Sequence, residues 1–166
     1  MPQLQRLRPD HAPALLAFER DNRAYFAAHV PDRGDDYFTH FDARHRDLLA
    51  EQAAGICHFH LVVDDTGAIL GRVNLVDVAD HSAELGYRIA EKAAGQGLAT
   101  SAVRRLCTLA AAQYGLTTLR AATTLDNAAS QAVLARIGFT ETGTTLLSGL
   151  PGLTYTLRLA PPAPTG

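Results

Sequence analysis

Two glycines one residue apart, Gly95 and Gly97, stand between an apolar strand-like run and a long helical pattern. That junction constrains the fold more than any other feature of the chain. A helix N-terminus leaves backbone N–H donors unpaired and carries partial positive charge, so a pyrophosphate is a natural ligand there. Glycines have no Cβ, which permits unusual backbone angles and close approach to such a ligand. Taken alone, Ala94-Gly95-Gln96-Gly97-Leu98-Ala99 reads as a tight turn before a helix. The neighbouring segments turn the reading towards a phosphate-binding loop.

Upstream, Leu4 to Leu7 alternates like a short strand, and Pro9-Asp10 starts a helix. Leu15, Leu16 and Phe18 form the apolar face of this helix, which runs on towards Phe26. Pro31 to Asp36 is a loop, and a second helix spans roughly Tyr37 to Gln52. Gly55 to Val63, Ala68 to Val78 and Ala83 to Ala90 read as an antiparallel meander, the first two joined by a hairpin at Asp64-Asp65-Thr66-Gly67. Beyond the glycines, Leu98, Ala102, Leu106, Leu109 and Gln113 fall on one helical stripe that Tyr114-Gly115 ends. Leu119 to Thr124 is a strand, and Asn127 to Ile137 is a helix closed by Gly138. Phe139 onward and Leu153 to Leu159 are the last strands, with Gly149 to Gly152 in their connection. The expectation is an α/β (α+β) fold, a mixed sheet of about seven strands flanked by about four helices. It occupies one domain over 1–159, and the Pro-rich tail at 160–166 is expected to fray.

Composition narrows the partners. The 166 residues are 47% hydrophobic and 19% charged, a globular balance with room for a sizeable core. A net charge of −2 speaks against a general nucleic-acid binder. No apolar run approaches a membrane span, and the start lacks a signal-peptide h-region. Cys57 and Cys107 suggest no disulfide framework, so the expected compartment is the cytoplasm, with neither nucleic acid nor membrane as partner. In Cys57-His58-Phe59-His60 the two histidines share a strand face and the cysteine points away. Two ligands do not complete a zinc site, so no metal is expected. Neither cysteine has a partner pattern that would make it a nucleophile.

The order of elements, with its glycine loop between the third meander strand and the long helix, resembles the GNAT acyltransferases. These enzymes use acetyl-CoA to acylate amines. Their loop motif is commonly written Gln/Arg-x-x-Gly-x-Gly/Ala. Gly97 and Ala99 match its last two positions, Gly95 fits a common variant, and Ala94 departs at the first. Ala83-Glu84-Leu85-Gly86-Tyr87-Arg88-Ile89 is similar to the family's central strand. Asn127-Ala128-Ala129-Ser130, with Leu134 and Ile137-Gly138-Phe139, is similar to its second hallmark. Tyr25-Phe26 through Val30-Pro31-Asp32-Arg33 to Leu48-Leu49 resembles the RimJ/RimL branch, the ribosomal-protein N-terminal acetyltransferases.

The resemblance implies a central strand pair that splays apart, where the backbone of Tyr87, Arg88 and Ile89 pairs with the pantetheine arm. One N–H there would hold the thioester oxygen and its developing negative charge. It places the pyrophosphate on Gly95, Gln96, Gly97, Leu98, Ala99 and Thr100. Asn127 suits a helix N-cap on its own chemistry; the resemblance adds a pantetheine contact, with Ser130 near the sulfur. Many relatives carry a tyrosine acid seven residues after this asparagine, and here that position is Leu134. Ser130 is then the candidate acid, unless the thiolate leaves unassisted. Glu84 is the candidate general base, or else a surface carboxylate paired with a cation. The position where some relatives place an acid on the following strand is Ala122. Asp36 and Tyr37 are candidates for binding the acceptor, although Asp35-Asp36 also reads as a solvated helix start. The expected activity is an acetyl-CoA-dependent N-acetyltransferase working by direct attack in a ternary complex. Its acceptor is a protein or peptide N-terminus, or alternatively a small amine such as an aminoglycoside, a polyamine or an amino acid. A protein that binds acyl-CoA without catalysis stays open, as does the choice between monomer and homodimer.

Overall fold

A computed structural model describes residues 2–162. Seven strands form one mixed sheet in the order β1-β2-β3-β4-β5-β7-β6. They are β1 (Gln3–Arg6), β2 (His58–Val63), β3 (Ile69–Ala79), β4 (Ser82–Ile89), β5 (Thr118–Thr124), β6 (Thr140–Leu147) and β7 (Leu150–Arg158). Six helices cover it: α1 (Ala12–Asp21), α2 (Arg23–Ala27), α3 (Asp35–Thr39), α4 (Phe41–Ala53), α5 (Leu98–Ala112) and α6 (Ala128–Ile137).

The sheet divides the apolar residues between two cores, because alternate strand residues point to opposite faces. Val73, Leu75, Ala83, Leu85, Leu119 and Ala121 pack beneath α5 and α6. Leu15, Phe18, Phe41, Leu48, Phe59 and Leu61 pack on the other face, beneath α1 and α4. Buried Gln52 joins α4 to β2 and to the residue after β1, donating to Leu7 O at 3.0 Å and accepting from Phe59 N at 3.1 Å.

Six helices stand where about four were expected, because each of the first two is broken. Asn22 leaves helical geometry at φ −107°, ψ 8° and separates α1 from α2. Its buried side chain donates to Phe18 O at 2.9 Å and accepts from Glu91 N at 3.0 Å, so a distant backbone group holds the break. His40, at φ −109°, ψ 27°, similarly separates α3 from α4. The α5 stripe is also rotated from expectation. Thr100, Ala102, Val103, Leu106 and Ala110 are buried, whereas Leu109 is half-buried and Gln113 exposed. The last connection is shorter than expected. Ser148 and Gly149 alone link β6 to β7, both with positive φ as a tight hairpin requires, and Gly152 lies buried inside β7. Of the Pro-rich tail, Ala160 to Pro162 are exposed and irregular, and 163–166 lie outside the described residues.

The decisive feature is the gap between β4 and β5. These strands pair in parallel at only three positions, Ser82↔Thr118, Ala83↔Leu119 and Glu84↔Arg120. Beyond them, β4 stays with β3 as far as Ile89↔Gly71, and β5 stays with β7 as far as Thr124↔Gly152. Each half of the sheet follows its own partner, so the centre opens into a cleft with unpaired backbone along β4.

Candidate active site

The loop before α5 could hold an anion. Gly95 and Gly97 have φ of 74° and 77°, the left-handed region that only glycine enters without strain. A Cβ at either would meet nothing within 4 Å, so the space in front of them is open. Gly97 is the N-cap, and its carbonyl accepts from Ser101 N at 3.1 Å. The amides of Leu98, Ala99 and Thr100 therefore have no partner within the helix. Gln96 departs from the other loop residues, since its side chain turns back to Lys92 O at 3.3 Å. Gly95, Gly97, Leu98, Ala99 and Thr100 all border a cavity of about 490 Å³.

A groove beside this loop is lined by Arg104, Arg105 and Arg136 together with Gly97, Thr100 and Ser101, and by no carboxylate. Arg104 donates to Arg136 O at 3.3 Å, which ties the two helices at that end. The sequence reading missed these arginines. Their only local signal was two adjacent cations on the polar side of the α5 stripe.

The cavity runs from the loop into the cleft, past Tyr87, Arg88, Ile89, Asn127 and Ser130. Asn127 caps α6, its Oδ1 accepting from Ser130 N at 3.1 Å. The Tyr87 hydroxyl lies 2.7 Å from Ser130 Oγ. Burial pushes the Tyr87 phenol above its ordinary range, and the bond to Ser130 opposes that rise. Arg88 projects from the opposite face of β4, 3.4 Å from buried Glu19 and over the Phe26 ring.

A second cavity, of about 490 Å³, opens on the far side of the cleft. Ala27 to Pro31, Gly86, Ala121 to Thr124 and the β6–β7 hairpin surround it. His29, Val30, Tyr87, Asn127 and Ser130 border both cavities. Asp126 is the one carboxylate in the second lining, and it already accepts from Thr124 Oγ1 at 2.6 Å.

Three candidates lie elsewhere. Glu84 borders neither cavity; it sits where β4 and β5 are still paired, two residues before cleft-lining Gly86 on the same face. Asp36 and Tyr37 also border neither. Tyr37 faces a cluster of arginines, 3.3 Å from Arg72 and under Arg33, while Asp36 O accepts from His40 N at 2.9 Å inside α3. Their packing thus supports the helix start and the core more directly than an acceptor.

His58 stacks on Tyr114 at 3.7 Å, and the Tyr114 hydroxyl lies 2.7 Å from His60 Nε2. Arg6 donates to the same hydroxyl at 2.9 Å. Burial, with Arg6 nearby, pulls His60 down to about 4 and keeps it neutral. Among the described residues no group of three or more His, Cys, Asp or Glu side chains could hold a metal. Burial pushes the Cys107 thiol up to about 11, far from a reactive thiolate.

A family profile described as an acetyltransferase (GNAT) domain matches residues 3–140. The chain belongs to the GNAT acetyltransferase family. Its glycine loop, splayed β4–β5 pair and capped α6 supply the parts that an acetyl-CoA-dependent N-acetyltransferase of this family needs. The unpaired amides, arginine groove and open strand edge fit the pyrophosphate, phosphate and pantetheine of the acyl donor. The ribosomal-protein-S5-alanine acetyltransferase of Vibrio fischeri has the same fold, with a TM-score of 0.90, 20% identity, and coverage of 98% of this chain and 96% of that one. A chimera of the Vibrio cholerae spermidine N-acetyltransferase SpeG with hSSAT aligns at a TM-score of 0.77 and 16% identity, over 95% of each chain. In sequence, the Bacillus subtilis protein YdaF, named a putative ribosomal N-acetyltransferase, is 37% identical over 79 residues. That match spans 46% of this chain and 43% of YdaF, less than half the length of either.

Proposed function

We propose that the protein transfers an acetyl group from acetyl-CoA to the α-amine of a protein or peptide N-terminus, by direct attack within a ternary complex. The observation that carries this reading is the lining of the acceptor cavity. It is mostly small and apolar, and it holds a single carboxylate, Asp126. A polyamine or aminoglycoside would bring several cations and leave most of them without a counter-charge, which is costly in a partly dry cavity. An N-terminus brings one amine. An α-amine also sheds its proton more readily than a lysine, at about 8 against about 10.4.

In this reading the loop amides and Arg104, Arg105 and Arg136 hold the phosphates, and Gly97 leaves room for them. Tyr87, Arg88 and Ile89 present backbone to the pantetheine, and Asn127 supports it from the α6 side. Ser130 gives the proton to the sulfur. Glu84 takes the amine proton through water: two residues along a strand span about 7 Å, and Gly86 has no side chain to fill the path from Glu84 to the cleft. The reading carries a cytoplasmic location with it.

The test is release of CoA thiol from acetyl-CoA against peptides with free Ser, Ala, Thr or Met N-termini, and against aminoglycosides, polyamines and free amino acids. Turnover with peptides alone is expected. Turnover with small amines alone overturns the acceptor assignment, and donor binding with no turnover on either panel makes the protein a non-catalytic binder. Glu84→Gln should lower kcat by about a hundredfold, within the usual range for a general base, with CoA affinity intact. An unchanged kcat removes Glu84 from the mechanism.

A further inference from the structure

Tyr87 and Ser130 meet where the donor and acceptor cavities join, with their oxygens 2.7 Å apart. A serine hydroxyl alone is a poor acid. An aliphatic hydroxyl holds its proton about as tightly as water, whereas a thiol releases its own near 8.5. Passing a proton to a leaving thiolate would strand an alkoxide, unless the serine received another proton in the same step. The helix that carries Ser130 offers no such donor one turn on, where Leu134 is apolar and 2% exposed. The only side-chain partner within reach of Ser130 Oγ among the described residues is the Tyr87 phenol.

We propose that Tyr87 acts through Ser130 as a positioning residue of the transfer step, donating its O–H to Ser130 Oγ and replacing the serine proton as that proton moves to sulfur. The opposite direction would spend the only serine proton on the phenol and turn lone pairs towards the departing thiolate. Burial keeps the phenol protonated in the resting enzyme, as the first arrangement requires. The step balances. The C–N bond forms, the C–S bond breaks, and its electron pair goes to sulfur. Sulfur takes the Ser130 proton, Ser130 takes the Tyr87 proton, and the phenolate regains one from water in the cleft. The amine loses one proton to the base, so one proton leaves and one enters in each turnover.

The inference rests on acetyl transfer at this site and not on which amine accepts. Its test uses the full chain with whichever acceptor of the two panels turns over. Tyr87→Phe keeps the ring that fills the cleft wall. Ser130→Ala keeps the backbone N–H that Asn127 caps. The expected result is a loss of at least tenfold in kcat for Tyr87→Phe, with the KM for acetyl-CoA and the Kd for CoA within twofold of wild type. Adding Tyr87→Phe to Ser130→Ala should cost less than a further twofold. A second readout needs no donor. The Tyr87 phenol, followed by NMR of ¹³Cζ-labelled tyrosine and assigned with Tyr87→Phe, should titrate higher in Ser130→Ala, because the serine no longer steadies the phenolate. An unchanged kcat, losses that multiply between the variants, a CoA affinity that falls in step with kcat, or an unmoved phenol titration would each overturn the relay. Failure of the N-terminal reading would appear in the acceptor panels instead and would leave this test standing.

Discussion

Replacing Glu19 by Gln removes the one negative charge from a buried cluster of arginines. Glu19 is 1% exposed and reaches Arg72 at 2.8 Å, Arg33 at 3.3 Å and Arg88 at 3.4 Å. Arg72 is itself buried, with a side chain 5% exposed, so it would be left as a charge with no carboxylate. Breaking a buried pair by removing one partner costs about 3–5 kcal/mol. Arg33 and Arg88 are more open and add little, about 0–1 kcal/mol each. For a domain of this size each kcal/mol moves the Tm by about 2–4 °C, so loss of the Arg72 pair alone should lower it by about 6–20 °C. The pH dependence has a definite sign. Burial alone would raise the Glu19 carboxyl, but the attraction of Arg72, Arg33 and Arg88 outweighs it and holds the group below its ordinary range. A carboxyl depressed in the folded state contributes stability that is fully present above its unfolded value, about 4.3, and is lost as pH falls through the folded value. Urea unfolding of both proteins should therefore show a constant gap at neutral pH that narrows below about pH 4. A gap under 1 kcal/mol at pH 7 would refute the argument, as would one that ignores acid. The cluster ties α1 to β3 and β4, so the same loss should loosen the strand that carries Tyr87.

Two further substitutions examine the donor site. Gly97→Ala places a side chain at a φ of 77°, with nothing within 4 Å of the new Cβ. The expected stability loss is the backbone strain of about 1–2 kcal/mol, by urea unfolding, with at least a tenfold rise in the Kd for CoA by calorimetry as the methyl meets the phosphates. Asn127→Ala removes the α6 cap and should cost about 1 kcal/mol, with weaker CoA binding; unchanged stability would show that the cap carries no load in the fold.

Much of the fold was legible because its signals are local. The strands alternate, Asp64 and its neighbours spell a hairpin, and Gly97 and Gly138 bracket helices by the geometry that only glycine adopts freely. The misses share one cause. The break at Asn22 depends on Glu91, 69 residues away, and the rotated face of α5 depends on which strands lie beneath it. At the site, Asn127, Ser130 and most of the glycine loop border one cavity. Tyr37 looked available because a sequence shows aromaticity but not its partners, Arg72 and Arg33. Arg136 was passed over for the matching reason, being an ordinary helix-end cation until α5 brings Arg104 beside it.

The amino-acid sequence by itself determined the order of elements, the glycine-headed helix and the Asn127 cap. Each of these is a matter of backbone sterics and hydrogen bonds within a few residues. Tertiary structure alone decided where the sheet splits, because the gap exists only once β4 has paired with β3 and β5 with β7. It also decided that Tyr87 meets Ser130 across 43 residues, and that Glu19 gathers Arg33, Arg72 and Arg88 around itself. A side chain's partner at such distances follows from strand register and helix packing, which no local pattern encodes.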